Sequence, residues 1–390
     1  MTLSPAFDLP PSATPFASAD DIAVAAEVNR FAREVLAPDS GRIDREAVFS
    51  AFNMHALGEM GLAGMNLPER WGGAGVSPIA LYLSIEEVAG ACASTCSMLT
   101  AHFLATDAIL IGGSDEQKAH WLPDAASGRT LGAFALTEPA AGSNPADMTT
   151  HARRSAEGYV LSGLKHFISN AGVADFIVVF AVTDPHAANR GMSAFIVPKD
   201  TPGLKVGPPE PTMGIRGGQI FEVTLDAVAV PESARLGPEG TGFKTAMKVL
   251  DNGRVEIAAT ATGIARVALG ASRDWMQERK VGGGPIARFQ GLQWMLADMA
   301  TDLEAARLMG LNAARIRACG KRFSREASLA KLYASEAVGR ITDKALQIHG
   351  GYGFATSTGI ERLVRDARIL RIYEGSSEVQ RNIIAGTMLA

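Results

Sequence analysis

The sequence predicts an α+β multidomain chain with an N-terminal α-helical domain, a central antiparallel β domain and a C-terminal four-helix bundle. Three observations carry that prediction. Apolar residues recur every three or four positions to about residue 129, every second position to about residue 236, and then at helical spacing to the end. Turn residues such as Glu157-Gly158 and Asn189-Arg190-Gly191 punctuate the middle block. The closing helical stretches are very long, and four of them make a bundle. The chain divides into an extended lead-in (1–19), a helical domain (20–130), a β domain (131–238) and a helical bundle (239–390).

In chain order, Pro5, Pro10, Pro11 and Pro15 give the lead-in an extended character. It has neither the basic-then-apolar order of a secretory signal nor the arginines of a transit peptide. "DIAVAAEVNRFAREVLAP" reads as a helix from its acidic start to Pro38. "SPIALYLSIEEVAGACAS" and "STCSMLTAHFLATDAILIGG" read as buried helices. Ser114 and Gln117 cap "DEQKAHWL", which Pro123 ends. No apolar run reaches membrane-spanning length, the nearest being broken by Asp107 and Gly112. Strands follow in "TLGAFALTE", "THARRS", "GYVLSGLKHFISN", "DFIVVFAVT", "MSAFIVPK" and "QIFEVTLDAVAV". Three long helices lie in 242–279, 289–318 and 324–350, and a fourth follows Glu374. Ser377 with Gln380 reads as the capping box of that fourth helix. The many Ala and Gly on these helices permit close packing and subunit contacts.

The composition, 47% hydrophobic and 20% charged with a formal net charge of −4, is that of a soluble globular protein and offers no basic stripe for nucleic acid. Cys92, Cys96 and Cys319 cannot build a disulfide framework in 390 residues, which suits a reducing compartment, and the chain reads as cytoplasmic. Cys92 and Cys96, with His102 further on, match no common zinc spacing, so no metal site is expected.

Within "RIYEGSSEVQ" (371–380), Glu374 stands in a turn just ahead of a helix. Two readings stay open from these residues alone. An acid there is favoured by the helix dipole by ~0.3–1 kcal/mol, or it is a catalytic base beside a ligand. "ALTEPAAGSN" (135–144) leaves a strand through small residues, where Gly142-Ser143 lets a ligand approach the main chain. "KHFISNAG" (165–172) offers an aromatic, an apolar residue and a hydroxyl in succession. "QIHGGYGF" (347–354) is a glycine-rich helix end without the βαβ setting of a dinucleotide fold.

These stretches, with "MGIRGGQIFEVTLDAVAVP", "LDNGR" and "ERLVRDARI", in this order and on this layout, resemble the acyl-CoA dehydrogenase family over roughly Ala19 to Leu389. The resemblance implies FAD-dependent α,β-dehydrogenation of a saturated acyl-CoA to the 2-enoyl-CoA, with electrons passed to an electron-transfer flavoprotein and a homotetrameric assembly. It implies that Glu374 removes the pro-R α-proton, since Gly253 occupies the family's alternative base position and cannot act as one. Leu136, Thr137, Gly142 and Ser143 would line the FAD, with Ser143 also facing the CoA. Phe167, Ile168 and Ser169 would flank the isoalloxazine, and Ser376 and Glu378 would meet FAD at the last helix. Arg279, Gln290, Gln347, His349, Gly350 and Gly351 would approach FAD from a neighbouring subunit. Asp251 and Arg254 resemble CoA-side contacts, and Gly375 would leave room for the thioester. The Glu374 N–H and a flavin ribityl hydroxyl would polarise the thioester carbonyl. The alternatives are a flavin oxidase or monooxygenase on the same fold, and a non-catalytic acyl-CoA-binding helical protein.

Several positions depart from the family pattern: Asn144 for aspartate, Ala140 for glycine, Ser357 for an acid, and Gly282 for phenylalanine. Gly282 to Gly284 would make a loop costly to order. The missing ring implies looser FAD binding, which Gly282→Phe would correct provided position 282 does not need positive φ.

Overall fold

The computed structural model describes residues 8–11 and 13–389, so Pro5 and the start of the lead-in lie outside the described residues. The rest of the lead-in is not simply extended. Thr14–Phe16 form a 3₁₀ turn, Ala13 is fully buried, and the Arg315 guanidinium lies 5.9 Å from the centre of the Phe16 ring.

Helix α1 (Ala19–Phe31) opens on a reciprocal box: the Ser18 side chain accepts from the Asp21 N–H, and the Asp21 side chain accepts from the Ser18 N–H. The chain does not stop at Pro38 as one helix, because a π turn (Ala32–Leu36) and a 3₁₀ turn (Ala37–Asp39) carry it past. There follow α2 (Ser40–Glu46), α3 (Ala51–Glu59), α4 (Pro78–Ala91), α5 (Ala93–Gly112) and α6 (Asp115–Ala126). Pro123 lies inside α6 rather than ending it. It sits in the last turn, which the Ser127 N–H closes on the Pro123 carbonyl (3.2 Å). Helix α5 corrects a second expectation. Within its 20 residues an 18-residue window reaches a mean hydropathy of 1.3, which by length and composition alone would suit a membrane span. Yet 78% of that window is buried within the protein, as in a central core helix.

The sheet comprises β1 (Gly132–Ala135), β2 (His151–Arg154), β3 (Gly158–Ser169), β4 (Phe176–Val182), β5 (Met192–Pro198), β6 (Leu204–Pro209), β7 (Ile220–Pro231) and β8 (Arg235–Leu236). The order is β6-β7-β3-β2-β4-β5-β8, mostly antiparallel as expected. The exceptions are β1, which pairs parallel with β4 from Gly132 opposite Phe176 to Ala135 opposite Val179, and a parallel bridge of β2 to β4. Strand β4 is buried on both faces. Phe176, Val178 and Phe180 pack toward α5 and α6, and Ile177, Val179 and Ala181 toward the interior of the β domain. Strand β6 escaped the sequence reading because it is largely exposed and lacks clean alternation.

Helix α7 (Gly242–Glu278) begins the bundle. A hairpin of β9 (Lys280–Val281) and β10 (Gly284–Pro285) leads to α8 (Gln290–Ala318) and α9 (Ser324–His349). Then come α10 (Gly351–Phe354), α11 (Ile360–Arg368) and α12 (Ser377–Leu389). One continuous apolar core joins the N-terminal helices to this bundle, so α4 and α5 lie against α7. The Tyr82 hydroxyl meets Thr262 Oγ1 at 3.2 Å, and Cys96 Sγ meets Thr260 Oγ1 at 3.5 Å.

Candidate active site

Glu374 stands where three helices converge. Its φ of +53° is left-handed, which costs a non-glycine residue strain that the surroundings must hold in place. Two clamps do so. Gln380 Nε2 donates to the carbonyls of Glu374 (3.2 Å) and Gly375 (2.9 Å), and Lys331 Nζ on α9 donates to the Gly375 carbonyl (2.6 Å). A Cβ at Gly375 would lie 2.5 Å from Gln380 Nε2, so a side chain there would break the first clamp. The expected capping box shifts by one residue. Ser376 caps α12 through the Val379 N–H, while Ser377 Oγ donates to Glu336 and Gln380 holds the turn. Glu378 lies exposed in the first turn.

The Glu374 side chain points inward over α7. A Cβ built on Gly253 would sit 2.1 Å from Glu374 Oε2 and 2.9 Å from Leu104 Cδ2 of α5. Oε2 is buried without a hydrogen-bond partner among the described residues, as are Gln380 Oε1, the Tyr373 hydroxyl, Arg254 Nε and both oxygens of Glu256. Protein interiors rarely leave such groups unpaired, and this grouping around Glu374 is what a ligand site would leave open. The Glu374 N–H also makes no hydrogen bond among the described residues.

Burial pushes the Glu374 carboxyl up to about 7, against the opposing pull of Lys331 and Arg254. Burial in turn lowers the Lys331 ammonium to about 8. Arg254 is buried and donates to Asp251 (2.6 Å), whose other oxygen accepts from Ser324 Oγ at the start of α9. Asp251 and Arg254 therefore lie beside Glu374, but they are bonded to each other.

The β-domain residues form a second group. A bulge in β3 between Lys165 and Ile168 throws Phe167 outward at a φ of +59°, its exposed ring stacked on His166 (4.0 Å between centres). The His166 N–H donates to the Thr137 carbonyl (3.0 Å). Beneath them lies a pair that the sequence reading missed. Buried Lys165 Nζ donates to Glu138 Oε1 (2.8 Å) and to the Leu136 carbonyl (3.1 Å), while Glu138 also accepts from the N–H groups of Thr149 and Thr150. That network holds the Glu138 carboxyl down to about 2. Both residues lie inside motifs quoted above, and their opposite charges in a period-two block were the available signal. Ile168 is buried, Ser169 half-buried, and Gly142 and Ser143 are exposed, with open space around Gly142. Asn144 Oδ1 accepts from the Ala146 N–H (3.3 Å), a task aspartate would share.

A third group lies at the far end of the bundle. Trp275 stacks on His349 (5.1 Å), and the Arg279 guanidinium lies 5.5 Å from the centre of the exposed Tyr352 ring. Gln290, Gln347, Gly350 and Gly351 are exposed nearby in sequence. None of these shares a hydrogen bond, ion pair or ring contact with Phe167 or the 136–143 loop among the described residues. The "GGG" stretch is a tight hairpin rather than a loose loop. Gly282 and Gly283 have φ of +57° and +84°, as a two-residue type I′ turn requires, and Arg288 donates to the Gly282 carbonyl (2.8 Å). The proviso on Gly282→Phe therefore fails.

Cys92 and Cys96 are buried thiols, and His102 is a buried strut. Its Nδ1 accepts from the Gly132 N–H (3.0 Å) and its Nε2 meets the Ala125 carbonyl (3.1 Å).

Comparison with known proteins decides the family. Profiles described as acyl-CoA dehydrogenase N-terminal, middle and C-terminal domains match residues 18–129, 133–228 and 240–389. The chain belongs to the acyl-CoA dehydrogenase family. It is 43% identical over 92% of its length, and 87% of the relative's, to the mitochondrial short-chain specific acyl-CoA dehydrogenase of Homo sapiens. It is also 43% identical, over 91% of each chain, to acryloyl-CoA reductase (NADH) of Anaerotignum propionicum. Butyryl-CoA dehydrogenase from Megasphaera elsdenii superposes with a TM-score of 0.94 at 36% identity, covering 98% of this chain and 100% of that one. The protein is thus an FAD-dependent oxidoreductase of the acyl-CoA dehydrogenase type. Its residues fit the cofactor: an exposed ring on a strained bulge beside an open glycine loop suits a flat isoalloxazine.

Proposed function

We propose that this acyl-CoA dehydrogenase converts short saturated acyl-CoA thioesters to 2-enoyl-CoA, with Glu374 removing the α-proton. The observation that carries the reading is the Glu374 carboxylate, buried and unpartnered at Oε2, with a pKa of about 7. A base is most effective when its pKa lies near the working pH, and such a group contributes ~10²–10⁴-fold. Lys331 and Arg254 favour the ionised form. The free Glu374 N–H would donate to the thioester oxygen as charge develops there. Bound FAD supplies the acceptor for the β-hydride, which no side chain can be. Leu136, Thr137, Gly142, Ser143, Phe167, Ile168, Ser169, Ser376 and Glu378 would hold it, and Asp251, Arg254 and Gly375 would border the thioester.

The short-chain preference rests on the named relatives. Family membership supports an electron-transfer flavoprotein as the acceptor and a homotetramer as the working form, and the free thiols of Cys92, Cys96 and Cys319 suit a cytoplasmic location. In that assembly the Arg279–His349–Tyr352 end of each bundle would meet a neighbour's FAD.

The relative named as a reductase favours a second reading, 2-enoyl-CoA reduction, in which protonated Glu374 returns the proton to the α-carbon. Glu374→Gln tests the shared step: we expect intact fold and flavin content with at least ~10²-fold less turnover in either direction. Near-normal turnover would place the base elsewhere. Butyryl-CoA with an artificial acceptor, against crotonyl-CoA with NADH, separates the two directions.

A further inference from the structure

Between α5 and α7 lie two buried carboxyl groups in opposite circumstances. Asp107 accepts from Asn66 Nδ2 (2.8 Å) and Asn252 Nδ2 (2.6 Å). Glu256, only 2% exposed, has no hydrogen-bond partner on either oxygen among the described residues. The same fold thus supplies two amides to one acid and none to the other.

Position explains the difference. The Asp107–Asn252 bond and the Cys96–Thr260 contact close the α5–α7 seam on either side, and Glu256 falls between them on α7. Gly253, three residues earlier on the same helix face, lies directly under Glu374 Oε2. Glu256 therefore follows the reacting position by about 4.5 Å along the helix axis. In the other direction lies Asp251, already bonded to Arg254 and Ser324 and only half-buried. An α-carbon held at Glu374 would thus leave the far end of a short acyl chain within reach of Glu256.

Resting on that reading of Glu374, we propose that Glu256 is a specificity-determining residue, and that the preferred substrate is a short acyl thioester bearing a hydroxyl near its γ-carbon. Burial, reinforced by Asp107 and Glu374 and opposed by Arg317, keeps the Glu256 carboxyl well above the usual carboxylate range. The protonated acid offers one O–H donor and one acceptor oxygen, and a hydroxyl answers both. An ammonium would have to give up its hydration in this closed seam. A plain alkyl chain would cover the acid while leaving it unsatisfied.

The test is binding to flavin-loaded Glu374→Gln enzyme, which separates this inference from the chemistry at Glu374. The probes are 4-hydroxybutyryl-CoA and the near-isosteric valeryl-CoA, measured by titration calorimetry. We expect the hydroxylated thioester to bind about tenfold more tightly, the effect of one buried polar group satisfied rather than stranded. Adding Glu256→Met should abolish or reverse that ratio, and adding Glu256→Gln should retain it. Equal or tighter binding of valeryl-CoA, or a ratio indifferent to Glu256→Met, would overturn the proposal while leaving the assignment of Glu374 standing. Should Glu256→Met not fold, the ratio in Glu374→Gln alone decides. Loss of base function is read separately, from wild-type turnover of butyryl-CoA.

Discussion

The carboxylate of Glu374 fills the space that a side chain on Gly253 would need, with 2.1 Å between Oε2 and the Cβ position. The proposed base and position 253 thus open onto one volume, and only one of them can be occupied by a side chain. Gly253→Ala should displace the Glu374 carboxylate. A misplacement of about 1 Å at a reacting group can cost ~10²-fold, so kcat/KM should fall by that order with little change in thermal stability. Unchanged kcat/KM would show that Glu374 has room to move aside.

The pH dependence follows from the same carboxyl. With Glu374 as the proposed base, dehydrogenation would need it ionised, so kcat/KM should rise with pH through about 7. Lys331 is one of the two cations that lower this value, so Lys331→Met should move the rise to higher pH. Stability runs the other way. A carboxyl held higher in the folded chain than in the unfolded one contributes stability that is full below about 4.5 and lost as pH rises through about 7. Rate and melting profiles of the two proteins check both signs.

Lys165 and Glu138 are both buried, and together they tie the loop after β1 to the Phe167 bulge. Lys165→Met leaves a stranded carboxylate and should destabilise the protein by ~3–5 kcal/mol, with faster flavin loss on dialysis. Lys165→Met with Glu138→Met should recover much of that stability. Denaturant midpoints and retained flavin absorbance measure the two effects.

Gly282→Phe should weaken the protein rather than tighten flavin binding. The turn needs positive φ at Gly282, and a Cβ there would lie 3.0 Å from Arg288 Nη2. We expect a lower melting temperature and no gain in flavin retention after dialysis. A gain would mean that the hairpin can rearrange around the ring.

A homotetramer is expected because the Arg279, Gln290 and 347–351 residues share no contact with the Phe167 group among the described residues of one chain, although both groups are proposed to meet FAD. Light scattering on the flavin-loaded enzyme should give four chains per particle. An active, flavin-replete monomer would remove these residues from the cofactor site.

The long elements were legible because each imposes one period over many residues. Helices α5, α7, α8 and α9 and strands β4 and β7 stand where their patterns place them. The misses share a different cause, which is that tertiary contacts decided them. Strand β1 lies parallel to β4 because of what it packs beside, and Pro123 stays inside α6 because the last turn tolerates it. At the site, Glu374 stood out through its turn and motif. Lys331 and Glu256 did not, since each looks like any polar residue on a helix until the partner across the interface is known. Ser376 displaced Ser377 as the cap because Ser377 is drawn away to Glu336.

Helix α9 has a bearing on how this chain can change. Lys331 near its start grips the turn that carries Glu374, and His349 at its end anchors the cluster with Trp275. Eighteen residues separate these two by about 27 Å of rigid rod. Removing a single residue between them would turn one end about 100° against the other and shorten the span by about 1.5 Å. No side-chain adjustment absorbs such a rotation, so α9 behaves as a fixed-length gauge. Substitutions on its exposed face leave that distance unchanged, whereas an insertion or deletion between Lys331 and His349 would not.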